Sequence, residues 1–505
     1  MSSRFRRSQS SDPIKYAPGV GARVPPGHRP LGVLEWLALL HAGIFLFWLT
    51  WAFGGGSEAM RPKLAWYGIL GLLITLTALQ DREAWRDGWM RPLIWLWPLL
   101  AFNAVVLIGC LNPSFREVRI EGDLVLIPNA VVSWLPSSAR PGLALPALWM
   151  FNALWIPAFN LVLLVRQRRA LRGFLLFALA NALALSVFGT AQKLLNSPGI
   201  FFGAVKSPQK YFFSTFIYHN HWGAFILLMI AAGLGLVWHH ARRHEARNFF
   251  HSLAFAGLVA LLFHAVTLPL SGSRSSTLLG AGLFGAALIH WLYRFVRDRR
   301  RHRESVILPL TGALAALILA AAGIWYVARD TISARATLTR EQVAAMVLKG
   351  NIGSRSSLYH DTWRMAKDKL WFGWGMTSYP HVFTLYNQQR SVDRLPAFYR
   401  DAHSDWLQSF AEHGLVGSAL LGLCAVVPLL RLRRRHLSNP LTAYLLAGCA
   451  VLLLYAWVEF PFGNLAVVFS WWLACFSAVQ YARLHDREAP APTKAAGFSA
   501  PTPSP

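Results

Sequence analysis

Long apolar blocks, separated by short polar breaks, run through almost the whole chain. They lie at 31–53, 64–79, 92–111, 147–165, 173–192, 218–238, 250–269, 276–296, 305–328, 406–430, 441–457 and 462–482. Most approach the ~20 residues a helix needs to cross the hydrocarbon of a bilayer. The block at 64–79 is short for a span and can be extended at either end. The pattern predicts an all-α, polytopic membrane protein with about 12 transmembrane helices across residues 31–485. Residues 1–30 are rich in Ser, Arg, Pro and Gly without an apolar period, and are expected to form a disordered basic tail. They offer no small-residue cleavage site behind a short apolar core, so the first span is expected to stay as an uncleaved anchor. Residues 486–505 are Ala- and Pro-rich and are expected to be disordered as well.

The polar breaks orient the spans. RQRRALR (166–172), HHARRHEAR (239–247), RFVRDRRRHRE (294–304) and RLRRRH (431–436) fall on alternate loops. The N-terminal tail and DREAWRDGWMR (81–91) fall on the same side, which the positive-inside rule makes cytoplasmic. Segments 112–146, 193–217, 270–275, 329–405 and 458–461 then face outward. The largest, 329–405, is the one long water-compatible stretch. It opens with a short amphipathic helix, DTISARATLTREQVAAMVLK, and continues after Arg355 with apolar positions near one helical face. Trp363, Trp371 and Trp374 suit the bilayer interface, so this loop is expected to carry surface helices rather than a separate soluble domain.

Composition sharpens the class. Of 505 residues, 55% are hydrophobic and only 14% charged, where soluble domains carry about 25%. A formal charge of +26 would suggest nucleic acid in a soluble protein, but here the cations sit in topogenic runs, and no nucleic-acid partner is expected. Cys110, Cys424, Cys449 and Cys475 lie in or beside apolar blocks and form neither a disulfide framework nor a metal spacing.

The chemistry-bearing residues gather on the outward side. Arg274, in SGSRSSTLL, stands at the start of a span. A guanidinium there either snorkels to lipid headgroups or holds a phosphate group through paired hydrogen bonds. Arg355, in GSRSSLY, starts a surface helix, where N–H groups and the helix dipole favour an anion. Two arginines, each in an S-R-S-S context on one face of the membrane, suggest a joint anion site, with Lys206 and Lys210 of KSPQKY as weaker additions. His403 precedes Ser404, a good N-cap, and the helix dipole there disfavours its protonated form. It is either a capping or interfacial histidine or a neutral base for a hydroxyl proton. Asp405, Gln408 and Glu412 follow on one helical stripe, and acidic residues on a span usually face a cavity. His219, Asn220 and His221 open another span. Two histidines two apart on a helix face different ways, so they are not read as a metal pair. Glu459, in VEFPFGN, is a further candidate for the same cavity. With no H-E-x-x-H and no acidic outward cluster, no metal site is expected. No P-loop is present, and an outward site has no nucleotide supply, so an activated donor is expected to be lipid-linked.

Taken together over roughly residues 200–480, these motifs resemble the O-antigen ligase and polymerase superfamily of bacterial membrane glycosyltransferases. YHNHWGAF resembles the family's Asn-containing helix start, and Arg274 with Leu278 its R-x-x-x-L element. SRSSLYHDTWRMAKDKLWFGWG resembles its arginine-led segment ending in a G-x-G turn. His403-Ser404, nine further residues and Gly414 resemble the ligase H-[N/S/Q]-x9-G motif, and EFPFGN the acidic residue before F-P. In one departure, Ala419 stands where the motif's next glycine would be. The resemblance implies metal-independent, inverting transfer of a glycan from an undecaprenyl-diphosphate carrier, without a cofactor, at the outward face of the bacterial inner membrane. Arg274 and Arg355 would hold the diphosphate, and His403 would act as base or orient the acceptor. That acceptor would be lipid A-core for a ligase, another lipid-linked repeat for a polymerase, or protein Ser or Thr for a protein glycosyltransferase. A flippase of lipid-linked sugar is the alternative from another class. It would need charges through the middle of several spans, whereas here they collect at the outward ends.

Overall fold

A computed structural model describes residues 30–209, 211–241, 246–349, 354–388 and 398–488. The expected disordered tails fall outside these residues, apart from Pro30 and the stretch 486–488, which closes the last helix. The described residues are mostly helical, with almost no strand. In order the chain forms α1 (Val33–Trp51), α2 (Arg61–Ile69), α3 (Gly71–Ala78), α4 (Arg82–Arg86) and α5 (Trp97–Leu111), then a hairpin of β1 (Phe115–Ile120) and β2 (Asp123–Pro128). There follow α6 (Pro141–Leu164), α7 (Arg168–Leu194), α8 (His219–Ala241), α9 (Leu253–Leu270), α10 (Arg274–Arg301) and α11 (Ile307–Lys349). The last group is α12 (Ser354–Asp368), α13 (Tyr379–Val382), α14 (Asp405–Leu429), α15 (Arg434–Leu437), α16 (Pro440–Tyr455) and α17 (Leu465–Glu488).

Ten helices among the described residues are long and apolar enough to cross a membrane. The other two of the twelve expected spans take different forms. Pro440–Tyr455 is a shorter apolar helix. The short block at 64–79 is a broken pair, α2 and α3, interrupted at Leu70. The break lies where Asn160 of α6 donates to the Gly71 carbonyl at 2.8 Å and accepts from Thr75 at 2.7 Å. A side-chain amide thus braces the first turn of α3 just past the break. α8 lies at the centre, packed by α7, α9, α10, α16 and α17, and α17 in turn packs on α6.

The segment 329–405 departs from expectation in one respect. The span expected at 305–328 and the amphipathic helix expected after it are one 43-residue helix, α11. No Gly or Pro interrupts Ile324–Lys349, so nothing in the chain stops the helix where the apolar block ends. At ~1.5 Å per residue, α11 is roughly 65 Å long, about twice the hydrocarbon thickness.

The rest of the segment folds into a cap with a small core of its own, built from Leu358, Met365, Ala366, Tyr379, Val382 and Phe383 with Ala402 and Ala411. Backbone pairing ties the cap to α14. Trp374 N–H donates to Ala411 O at 2.9 Å, Gly375 to Glu412 at 2.8 Å, Leu415 to Leu370 at 2.8 Å and Val416 to Trp371 at 3.0 Å. The two chains approach so closely that a Cβ on Gly373 would stand 2.4 Å from the Glu412 carbonyl carbon. One on Gly414 would stand 2.4 Å from that of Trp371. Both glycines also have positive φ, +68° and +64°, and Gly414 kinks α14. The G-x-G turn and the glycine that follows the histidine motif are therefore two sides of one backbone contact.

The two ends of the bundle differ. At one end, basic residues pair with acids across loops: Arg166 with Asp81 at 3.0 Å, Arg168 with Glu488, and Arg435 and His436 with Asp486 at 2.9 and 2.8 Å. The candidate site residues lie at the other.

Candidate functional site

The site is assembled around the turn between α16 and α17. Glu459, on that turn, is only 4% exposed. Its Oε1 pairs with Arg355 Nη2 at 2.7 Å, while Arg355 Nη1 donates to Val458 O at 3.0 Å. Arg355 reaches the turn because α12 begins at Ser354 and sets this side chain on its first turn. The other carboxylate oxygen, Oε2, lies 3.7 Å from His403 Nδ1. That is too long for a hydrogen bond. His403 has φ +51°, and its carbonyl accepts from Tyr359 OH at 2.9 Å. A left-handed backbone is costly for a residue with a Cβ, and the surrounding contacts hold it. Ser404 caps α14 as the sequence predicts, its side chain accepting from Leu407 N–H.

Burial alone would push the Glu459 carboxyl upward, but His403 and the Arg355 guanidinium together hold it below the ordinary carboxylate value. Burial likewise works against the charged form of Arg355, and Glu459 outweighs it, raising the guanidinium further. The arginine's side chain stays about half exposed, at 49%. Only two of its five N–H donors are needed by Glu459 and Val458, so the rest can meet an anion.

Phe460 joins this group to the start of α8. Its ring lies edge-on to His403 at 4.9 Å and stacks on Tyr218 at 5.4 Å, and its carbonyl lies 3.2 Å from His221 Nε2. Asn220 donates to Tyr218 OH at 2.7 Å. His219 turns the other way, its Nδ1 at 3.2 Å from Tyr211 O and its Nε2 at 3.4 Å from Arg335 Nη2. The two histidines thus face different neighbours, as their spacing implies.

Arg274 opens α10 and donates from Nη1 to Thr339 Oγ1 of α11 at 2.7 Å. Thr339 donates in turn to the carbonyl of Arg335 at 2.7 Å. The turn before α10 is fixed from below: Ser273 and Ser276 share a hydrogen bond of 2.7 Å, and Ser276 donates to Tyr455 OH at 3.1 Å. The contacts Arg274–Thr339–Arg335–His219–Tyr218–Phe460–His403 form one continuous chain.

The remaining candidates are placed differently. Asp405 accepts from Phe462 N–H at 2.9 Å and pins the Glu459 turn to α14. Gln408 accepts from Ala402 N–H at 3.0 Å, and Glu412 accepts from Thr377 and Tyr379 N–H at 2.9 and 3.1 Å. Both hold cap backbone rather than joining the arginines. Lys206 is exposed on a turn closed by Ile200 and Val205, with no described bond to the site, and Lys210 lies outside the described residues. Among the described residues no group of three His, Cys, Asp or Glu side chains is placed to hold a metal ion. Sequence reasoning missed Arg335, Tyr211, Tyr218 and Phe460. The available signal was an arginine just beyond an apolar block on the same side as Arg274 and Arg355, and aromatics flanking the candidate His and Glu residues.

Residues 257–422 match a family model described as O-antigen ligase, an interval that holds Arg274, Arg335, Arg355 and His403 and ends before Glu459. The match supports the O-antigen ligase superfamily, and with it an enzyme of the membrane glycosyltransferase type. No curated protein matches the chain.

Proposed function

We propose that this member of the O-antigen ligase superfamily transfers a glycan from an undecaprenyl-diphosphate carrier to an acceptor hydroxyl, at the membrane face opposite the basic loops. The positive-inside rule makes that face the outward one of the bacterial inner membrane. The observation that carries the reading is the group formed by Arg355, Glu459 and His403, in which one buried carboxylate serves both a cation and an imidazole.

In this reading Arg274 and the unused donors of Arg355 hold the diphosphate, where planar guanidinium groups can bond two oxygens each. The acceptor hydroxyl attacks the anomeric carbon as the bond from that carbon to the phosphate oxygen breaks. The carrier leaves as its diphosphate, and the anomeric centre inverts. The hydroxyl proton passes to Nε2 of His403, while Nδ1–H points to Glu459, which fixes the tautomer and stabilises the imidazolium. The contact of 3.7 Å is expected to tighten when substrate is bound. The arginines stabilise the charge left on the diphosphate, so the mechanism needs no metal.

The test is reconstitution. Purified protein, with an undecaprenyl-diphosphate glycan and a lipid A-core acceptor, should yield glycosylated lipid and free undecaprenyl diphosphate, undiminished by chelators. Release of undecaprenyl diphosphate with no glycan on any hydroxyl acceptor would refute transfer. In cells lacking the protein, long glycans retained on the carrier indicate a ligase, and single repeats a polymerase.

A further inference from the structure

Arg335 has no part in the mechanism above, yet its surroundings are built. Its guanidinium carbon stands 3.9 Å from the centre of the Tyr211 ring, and its Nη2 lies 3.4 Å from His219 Nε2. His219 Nδ1 faces the Tyr211 carbonyl, so Nδ1 carries the proton and Nε2 is free to accept from the arginine. On its other side the guanidinium lies against Gly272, where a Cβ would come within 2.9 Å of Nε and 3.1 Å of Nη2. Gly272 has φ +78°, so the turn between α9 and α10 passes close to the arginine only as a glycine turn.

Arg274 is linked to the same stretch of α11 through Thr339, which bonds the Arg335 carbonyl. Arg274 and Lys193 of α7 both lie within electrostatic reach of Arg335. No described carboxylate is paired with Arg335. Cations of three helices thus act on one another beside the candidate site. A snorkelling arginine would extend toward headgroups along its own helix. This one folds inward, flattened between an aromatic ring and a glycine turn, toward the other cations.

We infer that Arg335 is a third diphosphate-binding arginine, which holds the lipid-linked donor together with Arg274 from the α7–α11 side of the site. This rests on the reading of the site as one for a lipid diphosphate. Because the guanidinium is already oriented by Tyr211 and His219, it contributes to donor binding more than to the chemical step.

The experiment measures binding of undecaprenyl diphosphate to the purified full chain in detergent, for wild type and for Arg335→Ala, Arg335→Gln and Arg335→Lys. Arg340→Ala, an exposed arginine of the same helix, serves as the control. Losing one charge-assisted hydrogen bond should weaken diphosphate binding about tenfold. Lysine should restore little of it, Arg340→Ala should bind as wild type, and donor KM should rise more than kcat falls. If Arg335→Ala does not accumulate, Arg335→Gln, which keeps most of the side chain, is measured in its place. Equal diphosphate affinity in wild type and variant overturns the assignment. So does a variant that loses bound phosphatidylglycerol and keeps the diphosphate, which would make Arg335 a headgroup anchor. A wild type that does not bind undecaprenyl diphosphate overturns the functional reading itself, an outcome distinct from the other two.

Discussion

Two buried glutamates stand on the same side of the molecule, Glu412 on α14 and Glu459 on the turn before α17, at 7% and 4% exposure. Around Glu412 the partners are amides, two of them backbone N–H groups of the cap. Its oxygens accept from Thr377 and Tyr379 N–H, and Gln408 Nε2 approaches at 3.4 Å. Around Glu459 the partners are charged or titratable side chains. Arg355 takes Oε1, and Oε2 makes no hydrogen bond although it faces His403 at 3.7 Å. A carboxylate saturated by amides holds a loop. One with an oxygen left over beside an imidazole can orient that ring and answer a change in its charge. Burial alone does not distinguish the two; the identity of the donors does.

The largest effect expected from this difference is at His403. His403→Ala should insert and melt like wild type yet lose glycan transfer by about 10² to 10⁴ in rate, the range for a removed general base. His360→Ala and His381→Ala in the same cap should remain active. Near-normal transfer by His403→Ala would remove the functional half of the comparison. Next come the arginines. If a planar fork is needed, Arg274→Lys and Arg355→Lys should fail nearly as badly as the alanine variants, since an ammonium is a point charge. Full activity with lysine, measured against protein level in the membrane, would reduce each to a general positive charge.

The glutamates can be set against each other directly. Glu459→Gln should lower the transfer rate by about 10², the weak end of the base effect, because His403 loses its orienting carboxylate. Glu412→Gln should instead cost about 1–3 kcal/mol of stability, the penalty for weakened buried acceptors, with the rate per folded molecule unchanged. Thermal unfolding in detergent beside transfer rates checks both, and exchanged outcomes would invert the assignment. The smallest effect is in pH. Glu459 is held below its ordinary value of 4.5 in the folded protein. A depressed acid contributes stability that is complete above the ordinary value and is lost as pH falls through the lowered one. The stability advantage of wild type over Glu459→Gln should therefore be constant above pH 4.5 and shrink below it. An advantage that grew on acidification would mean that the Arg355 pairing is not what holds the carboxyl down.

What the sequence determined by itself is what local physics reads. Apolar blocks of span length specify membrane helices whatever they pack against, and basic runs on alternate loops divide the loops into two sets. Ser404 marks a helix start wherever that helix goes, Arg274 and His403 stand out as polar groups at the ends of apolar blocks, and Arg355 as a cation opening a surface helix. The continuity of α11 was not read from the sequence, although no Gly or Pro follows Ile324 before its end. Only the tertiary structure decided which polar residue meets which. Glu459 and Glu412 look alike in sequence, and 104 residues separate Glu459 from Arg355. Arg335 is one arginine among many until α11 carries it onto Tyr211 and Gly272. Hydropathy and capping act over a few residues, whereas the choice of partner for a buried charge is made by helix packing, which brings together segments that no local pattern connects.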